Sequence, residues 1–297
     1  MLAREGSMNS FLGRNSGRIR LQFGKRAVMI LLIALLVVGW LVISEVAEGR
    51  KSIGQNDRLT PIQREIERQR QRLTSIEAEE RRDALMRLGN LKRPEASRAA
   101  ATSLSDANPV VRMTAAHSIV SLPSHEAASL LISLLKDKSE FVRREAASVL
   151  AETHDRSAVG PLIEVLVHDK WQSVRAAAAV TLGQIGDETA VQPLAQVLTK
   201  PSGKKSKKVN TEDEFLMRSV ARSLGQIRSH AAVPALVAAL ENEQNVSDVR
   251  REAATALGLI GDSSAVSALQ AAYYSAGDPY LSEAAHVALR QIARAKK

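Results

Sequence analysis

Three carboxylate–guanidinium pairs have the spacing to do chemistry. Asp106, Asp137 and Asp169 each precede an arginine (Arg112, Arg143 and Arg175) by six residues. Such a pair can bind an anionic group bidentately or assist proton transfer. A catalytic reading requires other groups to converge on them in assigned roles. The six histidines (His117, His125, His154, His168, His230 and His286) are scattered without paired spacing, and solvated or capping roles account for each. The chain has no cysteine, which removes disulfides and thiolate metal sites. It also has no Gly-rich phosphate loop, nucleophile elbow or zinc-protease motif. No catalytic residue, metal or cofactor is expected.

The elements that position these residues are repeated. The phrase Val-Arg-x-x-Ala-Ala-x-x-Leu-Gly recurs in varied form, with its Leu position filled by Leu88, Ile119, Leu150, Leu182, Leu224, Leu257 and Leu289. The intervals are 31, 31, 32, 42, 33 and 32 residues. Small pairs such as Ala115-Ala116, Ala146-Ala147 and Ala178-Ala179 let neighbouring helices approach closely. A second apolar pattern lies between the phrases, with Pro161, Pro193 and Pro234 near its first turn, where a missing N–H is tolerated. Each period reads as two helices that cannot bury their apolar face alone, and stacking makes one continuous core. Aromatics at 3% also suit close-packed helices better than sheets.

On these residues, 81–297 resembles the HEAT-repeat family, in particular the short bacterial repeats of the phycobilin-lyase type. The resemblance implies an all-α solenoid of about six helix pairs plus a final helix. It also implies a structural role for Asp106, Arg112, Asp137, Arg143, Asp169 and Arg175, as an inter-repeat ladder. Met217 and Ser282 occupy the arginine position later in the chain, where the ladder is expected to break. HEAT-like repeats also build deoxyhypusine hydroxylase, in which His-Glu pairs opening several repeats bind two irons. The corresponding positions here read Arg144-Glu145, Arg251-Glu252 and Ser282-Glu283. A guanidinium has no lone pair to give a metal. The one His-Glu pair, His125-Glu126, starts a second helix instead and has no counterpart.

Upstream, 27–43 is an uncharged run in which 12 of 17 residues are Leu, Ile or Val, with Trp40 near its end. It reads as a single transmembrane helix, rather than as a cleaved signal, for which Glu45 would fit poorly at the cleavage site. Arg14, Arg18, Arg20, Lys25 and Arg26 precede it, against Arg50, Lys51 and Arg58 after it, which places the basic segment 1–26 in the cytoplasm. The repeats are then expected outside it, in a bacterium the periplasm. Residues 44–60 read as a linker. The stretch 61–80 reads as a stalk or capping helix, entered through Thr60-Pro61-Ile62-Gln63. The apolar stripe over 59–80 admits a weak homodimeric coiled coil or a cover for the solenoid's end.

The net charge of +9 does not point to nucleic acid. Residues 1–26 carry +5, and the repeat region owes its excess to five lysines within 200–208. A duplex-binding protein would spread its basic residues along a face. The long fourth interval places a basic insertion at 200–214, either a tolerated solvated loop or a contact for anionic headgroups or an acidic partner. The expected function is a membrane-tethered scaffold binding another protein on a concave surface lined by the second helices. Trp171, Lys204, Lys205, Lys207 and Lys208 are the candidate contacts. The rival is a HEAT-repeat enzyme of the phycobilin lyase or deoxyhypusine hydroxylase kind.

Overall fold

The computed structural model describes residues 59–199, 211–274 and 277–295. The chain divides at Thr60, and the described elements belong to the unit Pro61–Lys297. Helix α1 (Pro61–Arg72) is followed by α2 (Ala78–Asn90) and α3 (Pro94–Ala101), then α4 (Pro109–Ser118) and α5 (Ser124–Leu134). The series continues with α6 (Glu140–Thr153) and α7 (Val159–His168), α8 (Gln172–Ile185) and α9 (Val191–Thr199), and α10 (Thr211–Ile227) and α11 (Val233–Glu241). It ends with α12 (Ser247–Ile260), α13 (Val266–Tyr273) and α14 (Pro279–Ala295). Among the described residues there is no strand. The even-numbered helices from α2 carry the recurring phrase and are called first helices. Their partners are the second helices.

Each first helix packs on the helix that precedes it, from α4 onward a second helix, and on the neighbouring first helices. The phrase explains why. Leu88, Ile119, Leu150, Leu182, Leu224 and Leu257 are fully buried, and each contributes about 1.5–3 kcal/mol of apolar transfer. Leu289, in the last helix, is only partly covered because no second helix follows α14 among the described residues. The alanine pairs are buried between helices, as at Ala115-Ala116 and Ala253-Ala254. Glycine allows still closer approach. A Cβ on Gly225 would lie 2.8 Å from Cα of Ala256 on the next first helix. The second helices are shorter and touch each other more sparsely.

The helix ends repeat as well. Lys92, His154, Gly186, Arg228 and Gly261, each four residues after the phrase's Leu position, adopt positive φ between 49° and 79°. A left-handed residue there closes the helix and turns the chain toward its partner. At the N-terminal end, α1 lies on α2 and α3 and buries Ile66 and Gln69. Of its apolar stripe Ile66 is buried and Leu73 partly covered within the chain, while Ile62 and Ile76 are exposed; buried Gln69 is satisfied by Glu65 at 2.6 Å and Arg72 at 3.2 Å on the same helix.

The membrane placement expected from the sequence is corrected here. Among the described residues no helix is long and apolar enough to cross a bilayer. A span needs about 20 mostly apolar residues, whereas α10 and α14 reach 17 and carry charged residues on their outward faces. Residues 27–43, to which the span was assigned, lie outside the described residues, as do 1–26 and the linker up to residue 58.

Candidate protein-interaction face

The ladder residues come first, because their geometry decides whether they are a site. Arg112 opens α4 and reaches in two directions. Its Nε and Nη2 donate to the two carboxylate oxygens of Asp137, both at 2.7 Å, in the following repeat. Its Nη1 donates to the carbonyls of Asp106 (2.7 Å) and Ala107 (3.1 Å) in its own turn. Arg143 does the same, with Asp169 at 2.6 and 3.0 Å and the Asp137 carbonyl at 2.9 Å. Arg81 repeats it with Asp106 at 2.7 and 2.9 Å and the carbonyls of Ser75 and Ile76. Each aspartate also accepts a backbone N–H two residues on, from Asn108, Ser139 or Trp171. Arg175 instead gives its Nε to the Leu166 carbonyl, and Arg250 to that of Leu240.

These groups are occupied by one another. The Arg81 hydrogen bond holds Asp106 below the usual carboxylate range. Burial raises Asp137 and Asp169 and is the largest single influence, but the bonds from Arg112 and Arg143, the backbone N–H bonds from Ser139 and Trp171 and the nearby cations together leave both lowered. Carboxylates held ionised in this way stabilise the fold above their ordinary pKa, and the contribution is lost as pH falls through the lowered value. The arrangement is a brace between repeats. Arg81 and Arg250 stand seven residues before Leu88 and Leu257, a register that marks them as members where the Asp-to-Arg spacing does not.

Trp171 is half-exposed and caps α8, with the Lys170 ammonium 5.7 Å from its ring centroid. Lys204, Lys205, Lys207 and Lys208 lie outside the described residues.

The exposed apolar side chains include a recurring register on the first helices. Val110, Phe141, Phe215 and Tyr280 all stand two residues before the phrase's arginine position, and all are exposed. Met86 and Leu259 lie further along the same stripe of their own first helices, at helical spacing. Six of the thirteen exposed large hydrophobics among the described residues are thus on the outward stripe of first helices. The second helices contribute Val167 and Tyr273, with Tyr274 just after α13. Arg144 lies 5.6 Å from the Phe141 ring centroid, and Arg251 lies 5.4 Å from that of Tyr280. A groove of about 520 Å³ opens on this face between α2, α4 and α6, lined by Met86, Gly89, Met113 and His117 among others. In a helical pattern, −2 positions resemble core, which is why the sequence alone did not single them out.

Three of the histidines pair with carboxylates in the next repeat. His117 pairs with Glu145, His125 with Asp155 at 3.0 Å and His230 with Asp262 at 2.6 Å, each one repeat onward. The His230 bond leads the causes that lower Asp262 to about 2. Burial lowers His117, yet the stronger Glu145 hydrogen bond leaves it raised, while Glu145 is lowered. Among the described residues no group of three or more His, Asp or Glu could hold a metal ion.

Comparison with known proteins fits this architecture. The family model for HEAT repeats matches residues 66–148, 129–209 and 209–290. Human deoxyhypusine hydroxylase in complex with glycerol is 22% identical, covering 77% of this chain and 96% of that one, at a TM-score of 0.39. The complex of CpcE and CpcF of phycocyanin lyase from Nostoc sp. PCC7120 is 22% identical, covering 81% and 89%, at 0.46. The YibA protein of Escherichia coli is 18% identical, covering 81% and 95%, at 0.47. No curated protein sequence matches. With successive matches running from residue 66 to residue 290, this chain belongs to the HEAT-repeat family.

Proposed function

We propose that the chain is a protein-interaction scaffold that receives its partner on the outward face of the first helices. The observation that carries this reading is the register of Phe141, Phe215 and Tyr280, with Val110: the same position, exposed on four first helices. Buried function does not require exposed aromatics, whereas interface hot spots are enriched in Tyr, Trp and Arg. Phe141 and Tyr280 each have an arginine over the ring, which gives an anchor with an apolar body and a charged rim. Adjacent first helices pack closely, so side chains at one register position can form a face that runs from repeat to repeat.

The test compares two variants of the full chain by quantitative crosslinked pull-down from the native cell. Phe141→Ser/Phe215→Ser/Tyr280→Ser is expected to lose specific partners by roughly thirty-fold or more, as for the loss of one hot spot. Val167→Ser/Tyr274→Ser, on the second-helix side, is expected to keep them. The proposal fails if the second variant loses the same partners or the first retains them all.

A further inference from the structure

Three of the junctions between repeats are stapled at corresponding positions, and the residue that supplies the positive charge differs from one to the next. On the first-helix face, the side chain five residues after the phrase's arginine position reaches a glutamate on the next first helix. Between the fifth and sixth repeats this is Arg222 with Glu252, at 2.9 Å through two nitrogens. Between the second and third it is His117 with Glu145. At the entry to the second helix, six residues after the phrase's Leu position, a cation reaches an aspartate one repeat on. Between the third and fourth repeats this is Arg156 with Asp187 at 3.8 Å, and between the fifth and sixth it is His230 with Asp262. Between the second and third it is His125 with Asp155. The second–third junction therefore carries histidine at both positions, where the third–fourth and fifth–sixth junctions each have an arginine at one of them. The groove opens at this same junction, and His117 and Glu145 line it.

We infer that the joint between the second and third repeats is a pH-responsive hinge: its face staple loses its charge as the His117 imidazole deprotonates, while Arg112–Asp137 keeps the joint attached at the turn. Histidine is the side chain whose charge ordinarily changes between about pH 5 and 8, whereas arginine stays charged throughout. The groups facing His117 are Glu145 and Glu152 on α6, with Arg144 beside Glu145 and Arg82 across the groove on α2. His125 faces Asp155, which Ser157 also holds. The raised proton affinity of His117 fixes the sign: the staple is complete at low pH and is lost as pH rises through the raised value. Both histidines are largely exposed, so each staple is a weak one. The consequence is a change in local opening rather than unfolding.

Hydrogen–deuterium exchange of the full chain, corrected for the intrinsic pH dependence, reads this out. Between pH 6 and pH 8, amides of α4 and the start of α6 are expected to lose protection by about two- to ten-fold. Amides of α8, whose junction to α6 uses Arg143 and Arg156, are expected to change by less. His117→Arg/His125→Arg installs the residue found at the corresponding positions and is expected to abolish the difference by keeping the joint protected at both pH values. His117→Gln/His125→Gln is expected to abolish it by leaving the joint open at both. The inference is overturned if wild-type protection at this junction does not change with pH, if α8 responds equally, or if the arginine variant keeps the wild-type response.

Discussion

Replacing Asp137 with alanine is expected to lower the stability of the repeat unit by about 3–5 kcal/mol, measured by urea unfolding. The reason is what Asp137 leaves behind. Arg112 is 4% exposed, and the carboxylate supplies two of its four hydrogen bonds. Without it a permanent cation remains buried, with only the carbonyls of Asp106 and Ala107 to satisfy it. The N–H of Ser139 at the start of α6 loses its acceptor too, at a cost of about 1 kcal/mol. Because a solenoid's cooperativity rests on nearest-neighbour interfaces, the transition should also broaden as the two sides of the junction unfold more independently. Asp106→Ala should cost less, since Arg81 is more exposed and stands at the array's end. A loss below about 1 kcal/mol for Asp137→Ala would show that water replaces the carboxylate and that the brace does not hold the stack.

The second large effect concerns Gly225. A Cβ there would meet Cα and Cβ of Ala256 at 2.8 Å. Backbone on both sides cannot move aside as a flexible side chain can, so the first helices α10 and α12 must separate. Gly225→Val is expected to cost about 3 kcal/mol, the upper end for overpacking. Gly160, on α7, has nothing within 4 Å of its Cβ position. Gly160→Ala should therefore stabilise by about 0.4–1 kcal/mol through lower chain entropy. Equal effects of the two substitutions would mean that the close approach of first helices is not what requires glycine.

Much of the fold was legible because a repeat states the same physical requirement several times. One buried Leu is ambiguous, but seven at near-constant intervals with small pairs before them require stacked helix pairs. The ladder was legible in part of its membership and not in its connection, since Arg175 bonds the Leu166 carbonyl instead of an aspartate. A spacing of six residues is the same whether Arg112 meets Asp106 or its copy in the next repeat, and the structure uses both: the carbonyl of the first and the carboxylate of the second. Arg81 was missed because Ser75 stands where an aspartate would, and its carbonyl accepts the bond. The histidine pairs were invisible for the same reason, since each partner sits about one repeat away. The exposed aromatic register was hidden because Phe141 and Phe215 look like core in a helical pattern. Nothing in the sequence said which helix layer carries the exposed aromatic register.

The central claim is that the first-helix face is where a partner sits. Placing the photo-crosslinking residue p-benzoylphenylalanine at position 141 or 215, and separately at position 167, in the full chain tests it most directly. The same crosslinked partner is expected from positions 141 and 215 and none from 167. A partner captured from 167 alone would put the binding surface on the second helices and contradict it.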